Sequence, residues 1–226
     1  MADGCFRRTL SFVSETSPIV DLESVSVRVG ATHILRDVAL SINGGDAIGI
    51  FGGNGAGKTT LLRLIATLIM PASGTATVFG VDVATDERYD IRTRIGYVGH
   101  TPGLYPEMTL SENLGFVAHA MGIDVAEADR SLAAVGLAGA ADRRAEVCSH
   151  GMQRRAEFAR VLMTKPDLLL LDEPHSALDA DAVDLVDALV ARTLETGGAA
   201  VLVSHDKERV LKVATEFHEI TGGTLA

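Results

Sequence analysis

Apolar and polar positions alternate from Ile19 to Val29, with Val20, Leu22, Val25, Val27 and Val29 on the apolar beat. That period predicts a half-buried strand. Gly30-Ala31 turns the chain, and His33 to Ile42 predicts an antiparallel partner. Asn43-Gly44-Gly45-Asp46 is a strong turn signal. The pattern then changes to a short apolar run, Asp46-Ala47-Ile48-Gly49-Ile50-Phe51, which reads as a buried strand. Leu61 to Leu68 predicts a helix, stopped by Met70-Pro71-Ala72-Ser73-Gly74. Thr75 to Phe79 predicts another strand, and Ile95 to Gly99 a short one broken by His100-Thr101-Pro102-Gly103.

Further on, Thr109-x-x-Glu112 is a capping box in front of a helix running to about Met121. Val125 to Val135 predicts a second helix, ended by Gly136-Leu137. Residues 101–147 are Ala-rich without a strand pattern, so they read as a helical subdomain inserted between sheet strands. From Ser149 strands and helices alternate again. Helices are expected over Ala156–Met163, Ala180–Thr196 and Lys207–Val213. Strands are expected over Asp167–Leu171 and Ala199–Val203, and Glu216 to Thr221 closes the fold. Two of those runs are wholly apolar, as in a parallel sheet covered on both faces. The expected class is α/β, with a mixed or parallel sheet core and antiparallel strands at the N-terminus.

Composition narrows the setting. With 226 residues, 47 % of them hydrophobic, the chain has enough material for one well-buried domain. We place that domain at residues 19–226 and read 1–18 as a peripheral extension. Phe6-Arg7-Arg8-Thr9-Leu10-Ser11-Phe12 faintly resembles a twin-arginine export signal, but the apolar segment such a signal needs is missing. The net charge of −10 disfavours nonspecific nucleic-acid binding, so no nucleic-acid partner is expected. Cys5 and Cys148 are too few for a disulfide framework. No apolar run approaches the roughly 20 residues that span a bilayer. Any membrane contact is therefore expected to go through a partner.

The candidate chemistry begins directly after the Asp46–Phe51 run. Gly52-Gly53-Asn54-Gly55-Ala56-Gly57-Lys58-Thr59-Thr60 carries G-x-x-x-x-G-K-T between a predicted strand and a predicted helix. In that context the glycines let backbone N–H groups turn inward, and the helix N-terminus completes a polyphosphate cradle. Lys58 is expected to reach the β- and γ-phosphates of ATP, and the Thr59 hydroxyl to hold Mg²⁺. Asp172-Glu173-Pro174 follows the Leu168–Leu171 run. Acids at the C-terminal end of a buried strand lie where ligands bind in open α/β sheets. Asp172 is the second candidate ligand for Mg²⁺, and Glu173 the candidate for polarising an attacking water. The pair also fits a solvated turn before the proline.

These stretches, taken in order, resemble the ATP-binding cassette (ABC) ATPases over about residues 19–221. The resemblance implies a P-loop NTPase fold, ATP and Mg²⁺ as ligands, and ATP hydrolysis that drives a separate transmembrane permease. It implies a homodimer sandwiching two ATPs at the cytoplasmic face of the membrane, with the permease docked around residues 101–147. Glu173 would then be the general base, and His205, after Val201-Leu202-Val203-Ser204, the switch histidine at the γ-phosphate. Ser176-Ala177-Leu178-Asp179 resembles the loop that touches the partner subunit, and fits a helix cap equally well. Cys148-Ser149-His150-Gly151-Met152-Gln153 matches the family signature, usually Leu-Ser-Gly-Gly-Gln, at Ser149 and Gly151. That loop would cap the γ-phosphate held by the other copy, with Ser149 as the N-cap of a following helix.

The chain departs from the pattern at His150 and Met152, and Cys148 stands where a buried Leu is usual. The family's coupling glutamine falls at His100, a candidate catalytic position. The aromatic that stacks on adenine falls at Val29, leaving Arg28 or His33 as substitutes. Gly99-His100-Thr101-Pro102-Gly103 also resembles the haem-exporter ATPases of bacterial cytochrome c maturation, which carry Gly-His-x-Pro-Gly there. Drug- and lipid-exporter ATPases share the altered signature, and soluble ABC modules and nucleotide kinases share the phosphate loop.

Overall fold

In the computed structural model, which describes residues 17–176, 180–205 and 207–226, the strands part into two sheets. The alternating N-terminal segments form β1 (Val20–Val29) and β2 (Thr32–Ile42), paired antiparallel. β4 (Ser73–Val78) joins the other edge of β1, and the two-residue β5 (Val81–Asp82) joins β4, giving the order β2-β1-β4-β5. The phosphate-loop strand β3 (Ala47–Gly52) belongs to the second sheet. Its companions are β6 (Ile95–Val98), β7 (Leu168–Asp172), β8 (Ala199–Val203), β9 (Glu216–Thr221) and β10 (Thr224–Leu225). The order is β10-β9-β3-β8-β7-β6, parallel except for the short β10.

Period-2 geometry explains why β8, and β7 up to Asp172, are apolar on both faces. Leu168, Leu170, Ala199, Val201 and Val203 pack into one core with Ile48, Ile50 and helix α1 (Lys58–Ile65). Leu169, Leu171, Ala200 and Leu202 enter the opposite core. That second core also holds side chains of α2 (Leu110–Met121), α3 (Ala126–Ala134), α4 (His150–Thr164) and α5 (Ala180–Glu195). Each of the four β7 leucines is fully buried. Burial of one such side chain contributes about 1.5–3 kcal/mol. α6 (Lys207–Val213) sends Val210 into the same core.

Residues 101–147 hold α2, α3 and two short 3₁₀ turns, with no strand of either sheet. α2 starts where the capping box puts it. Glu112 N–H donates to Thr109 Oγ1 at 3.0 Å, and Thr109 N–H donates to Glu112 Oε2 at 2.8 Å. Thr109→Ala should cost about 1 kcal/mol and lower the melting temperature by roughly 2–4 °C. A calorimetric scan checks it.

Two helices differ by more than one residue from their sequence-based bounds. α1 begins three residues earlier than expected, because Gly57 turns the chain directly into it, and it ends at Ile65. Thr67 sits in the left-handed region at φ 60°. The Arg92 guanidinium holds it there, through Thr67 O at 2.7 Å and Oγ1 at 3.0 Å. α4 begins directly after Ser149, as the reading of that residue as an N-cap expects, and so takes in six residues ahead of the apolar periodicity of Ala156–Met163. The expected extension lies mostly in residues 1–16 and, with Cys5, falls outside the described residues. Ala177, Leu178 and Asp179 also fall outside them.

Candidate functional site

The parallel sheet delivers the chemistry-bearing residues to one edge. β3, β8, β7 and β6 are consecutive neighbours, and all end on the same side. Their C-terminal ends release, in that spatial order, the Gly52–Thr60 loop, Ser204-His205, Asp172-Glu173 and Gly99-His100. The result is an open cleft of about 540 Å³. Asn54, Gly55, Ala56, Gly57, Lys58, Thr59, Thr60, His100, Asp172, Glu173 and His205 all line it, with Ile34 and Ser176.

The loop is shaped by contacts only glycine permits. Gly57 has φ 113°, and a Cβ there would lie 2.8 Å from Leu35 Cδ2. Gly52 has φ 150°, and a Cβ there would meet Ile220 O at 2.5 Å. By contrast, a Cβ on Gly53 or Gly55 would meet open space. The Lys58 ammonium lies across the loop, donating to Gly52 O at 2.7 Å and Gly53 O at 3.0 Å. Lys58 is buried and forms the first residue of α1. A concave loop with a fixed cation at a helix N-terminus fits a polyphosphate.

The two acids differ in setting. Asp172 is 2 % exposed and accepts a hydrogen bond from Thr59 Oγ1 at 2.7 Å. A hard hydroxyl and a carboxylate brought together beside a phosphate cradle suit Mg²⁺. Burial, and next the Asp172 carboxylate, push the Tyr97 phenol above its ordinary pKa. Glu173 takes an unusual backbone, φ 51°, at the end of β7. Its N–H donates to Val203 O at 2.8 Å, which ties it to β8. Its Oε2 accepts from His205 N–H at 3.2 Å and from Ser204 Oγ at 3.3 Å. Its Oε1 is buried and makes no hydrogen bond among the described residues. His205 Nε2 lies 3.3 Å from that oxygen, near enough for an ion pair when the imidazole is protonated. One carboxylate oxygen is thus fixed by the protein, and the other is buried beside the His205 imidazole.

The signature residues lie elsewhere. Ser149 Oγ accepts from Met152 N–H at 3.3 Å and caps α4. Ser149 and Gly151 line a separate depression with Gly136, Arg143, Met152 and Arg155. They do not line the phosphate-loop cleft. Met152, where glutamine is usual, packs against the helical core, and His150 is exposed. Cys148 is buried, its thiol pushed up by burial. The substitutes considered for the missing aromatic are not in place. Val29 is 64 % exposed, and neither it nor Arg28 nor His33 lines the cleft. Its aliphatic wall is Ile34, which no sequence signal singled out.

Comparison with known proteins agrees with this geometry. A family model described as ABC transporter matches residues 35–176. A cytochrome c biogenesis ATP-binding export protein of Cupriavidus metallidurans is 35 % identical over 88 % of this chain and 96 % of its own length. One from Rhodopseudomonas palustris is 36 % identical over 78 % of this chain and 86 % of its own. An aliphatic sulfonates import ATP-binding protein of Burkholderia cenocepacia is also 36 % identical, over 86 % of this chain but 70 % of its own. A solved ATP-binding subunit of an ABC transporter superposes with TM-score 0.84 at 26 % identity, over 92 % of this chain and 88 % of that one. A dimeric ATP-binding cassette in a post-hydrolysis state, bound to ADP and Pi, gives TM-score 0.83 at 26 % identity, over 91 % of this chain and 96 % of that one.

Proposed function

The chain belongs to the ABC transporter family of ATP-binding subunits, and from that premise we propose that it drives a separate membrane permease in haem export for cytochrome c biogenesis. It hydrolyses ATP to ADP and phosphate. The observation that carries the catalytic reading is the convergence of four neighbouring strand ends on one cleft.

The roles then follow from chemistry. The Gly52–Thr60 backbone and Lys58 hold the β- and γ-phosphates. Thr59 and Asp172 would hold the Mg²⁺ that accompanies the nucleotide, which supplies neutralisation of phosphate charge. Glu173 Oε1 takes a proton from the attacking water, while Oε2 is kept in place by the β8 turn. His205 and His100 face the γ-phosphate from the two sides of Glu173. Ser149 and Gly151, lying in a separate depression, serve a second copy's nucleotide. Asp179, by family resemblance, meets that copy. Two chains would then enclose two ATPs, a reading supported by the dimeric cassette relative.

No helix among the described residues is long and apolar enough to cross a membrane. We place the chain at the cytoplasmic face, touching the membrane through its permease. Haem export is favoured over import of an aliphatic sulfonate by the Gly99–Gly103 segment. Deleting the gene should abolish covalent haem staining of c-type cytochromes in membranes. The wild-type gene should restore it and Glu173→Gln should not. Unchanged staining in the deletion strain would exclude this cargo.

A further inference from the structure

The helix that begins at Ser149 also grips the segment that carries His100. Arg154 and Glu157 on α4 are 0 % and 1 % exposed. Arg154 Nη1 donates to Gly99 O at 2.6 Å and to Glu157 Oε2 at 3.1 Å. Its Nη2 donates to His100 O at 3.0 Å. The other Glu157 oxygen accepts from Gly103 N–H at 2.9 Å. One helical turn on, Arg160 Nη2 donates to Tyr97 O at 2.8 Å. Residues 97–103 are therefore fastened to α4 at four backbone points, two of them on Gly99 and His100.

A buried ion pair is a poor source of stability, because desolvation of both charges offsets their attraction. Burial pushes the Glu157 carboxyl up, against the Gly103 N–H and the Arg154 and Arg160 charges that pull it down. Arg154 Nε finds no acceptor among the described residues. An apolar pair would fill this space at less cost. What the charged pair supplies, and an apolar pair does not, is a directional hold on carbonyl and N–H groups.

The geometry points to Arg154 and Glu157 as positioning residues that set His100 in the nucleotide cleft and tie it to the Ser149 loop. The link matters because α4 joins two sites. Its N-terminus carries Ser149 and Gly151, and little more than a turn later it holds the backbone of His100, which lines this chain's own cleft. A shift of α4 when Ser149 engages the second copy's nucleotide is passed to His100. This inference rests on the two-copy reading above.

The test is a cycle on the full-length chain. Arg154→Met with Glu157→Leu removes the hold without leaving a lone buried charge. It is measured with and without His100→Ala, and Arg154→Lys, which keeps charge but not the planar fork, is carried in parallel should the apolar pair not fold. With His100 present, kcat for ATP should fall about 10-fold with KM within about 2-fold, and with His100→Ala the same change should lower kcat less than about 2-fold. The Hill coefficient for ATP should exceed 1 in the wild type and drop to about 1 in the variant. Equal loss of kcat in both backgrounds overturns the positioning role. A Hill coefficient unaffected by the variant overturns the link between sites. Absence of ATP hydrolysis in the wild type sinks the ATPase reading instead.

Discussion

Glu173→Gln should lower ATP turnover by about two to four orders of magnitude, the usual range for loss of a positioned general base. It should leave ATP binding intact and convert the chain into a stable ATP-bound dimer. The exchange is nearly isosteric, so the local structure offers little reason for anything else to change. The amide oxygen of glutamine can still accept from His205 N–H and Ser204 Oγ, as Glu173 Oε2 does at 3.2 and 3.3 Å. The φ 51° backbone and its bond to Val203 O involve no side-chain charge. What disappears is the second oxygen as a proton acceptor, the one with no hydrogen bond among the described residues. A strained, non-glycine residue held in place by its neighbours is where a fold keeps a reacting group aimed. Phosphate release and gel filtration with and without ATP give the two readouts. A variant that hydrolyses at the wild-type rate removes Glu173 from the mechanism. One that stays monomeric with ATP removes the two-copy site.

The same residue illustrates what the chain discloses without its structure. Asp172-Glu173 stood out because a run of four leucines put it at the end of a buried strand, and β7 ends at Asp172. β8 and α6 occupy the expected residues, since clear turn signals or abrupt changes of period bound them. β5 and β10 are two residues each, too short to carry a period. The end of α1 was not legible because its cause, Arg92 on Thr67, lies 25 residues away. Ile34 belongs to a strand of the other sheet, and only tertiary packing brings it to the phosphate loop. Ser149 could be matched to a motif, but its distance from its own phosphate loop is a property of the folded chain. Arg154 and Glu157 did leave a trace. They are two charges three residues apart among Ala156, Phe158 and Ala159, within a helix otherwise buried on that side. Charges there must find partners, and the partners proved to be the backbone around His100.

Lys58→Met should weaken ATP binding about 100-fold, since a lost charge-assisted hydrogen bond costs about 1.5–3 kcal/mol. Methionine suits the test because it keeps an unbranched stem in the buried slot at the start of α1. The loss is therefore confined to the ammonium. That ammonium donates to the adjacent carbonyls Gly52 O and Gly53 O, which ties the start of the loop to the start of α1. A γ-phosphate offers it stronger, anionic acceptors in the same place, so binding exchanges neutral partners for charged ones. Lys58→Arg should not rescue binding. The planar fork is wider than an ammonium and cannot address one point between two adjacent carbonyls. Titration with a fluorescent ATP analogue measures both variants, and thermal unfolding checks that each retains its fold. Wild-type affinity in Lys58→Met would place the phosphates somewhere other than this loop, and the roles assigned to Thr59, Asp172 and Glu173 would fall with it, because all three are positioned by reference to that cradle.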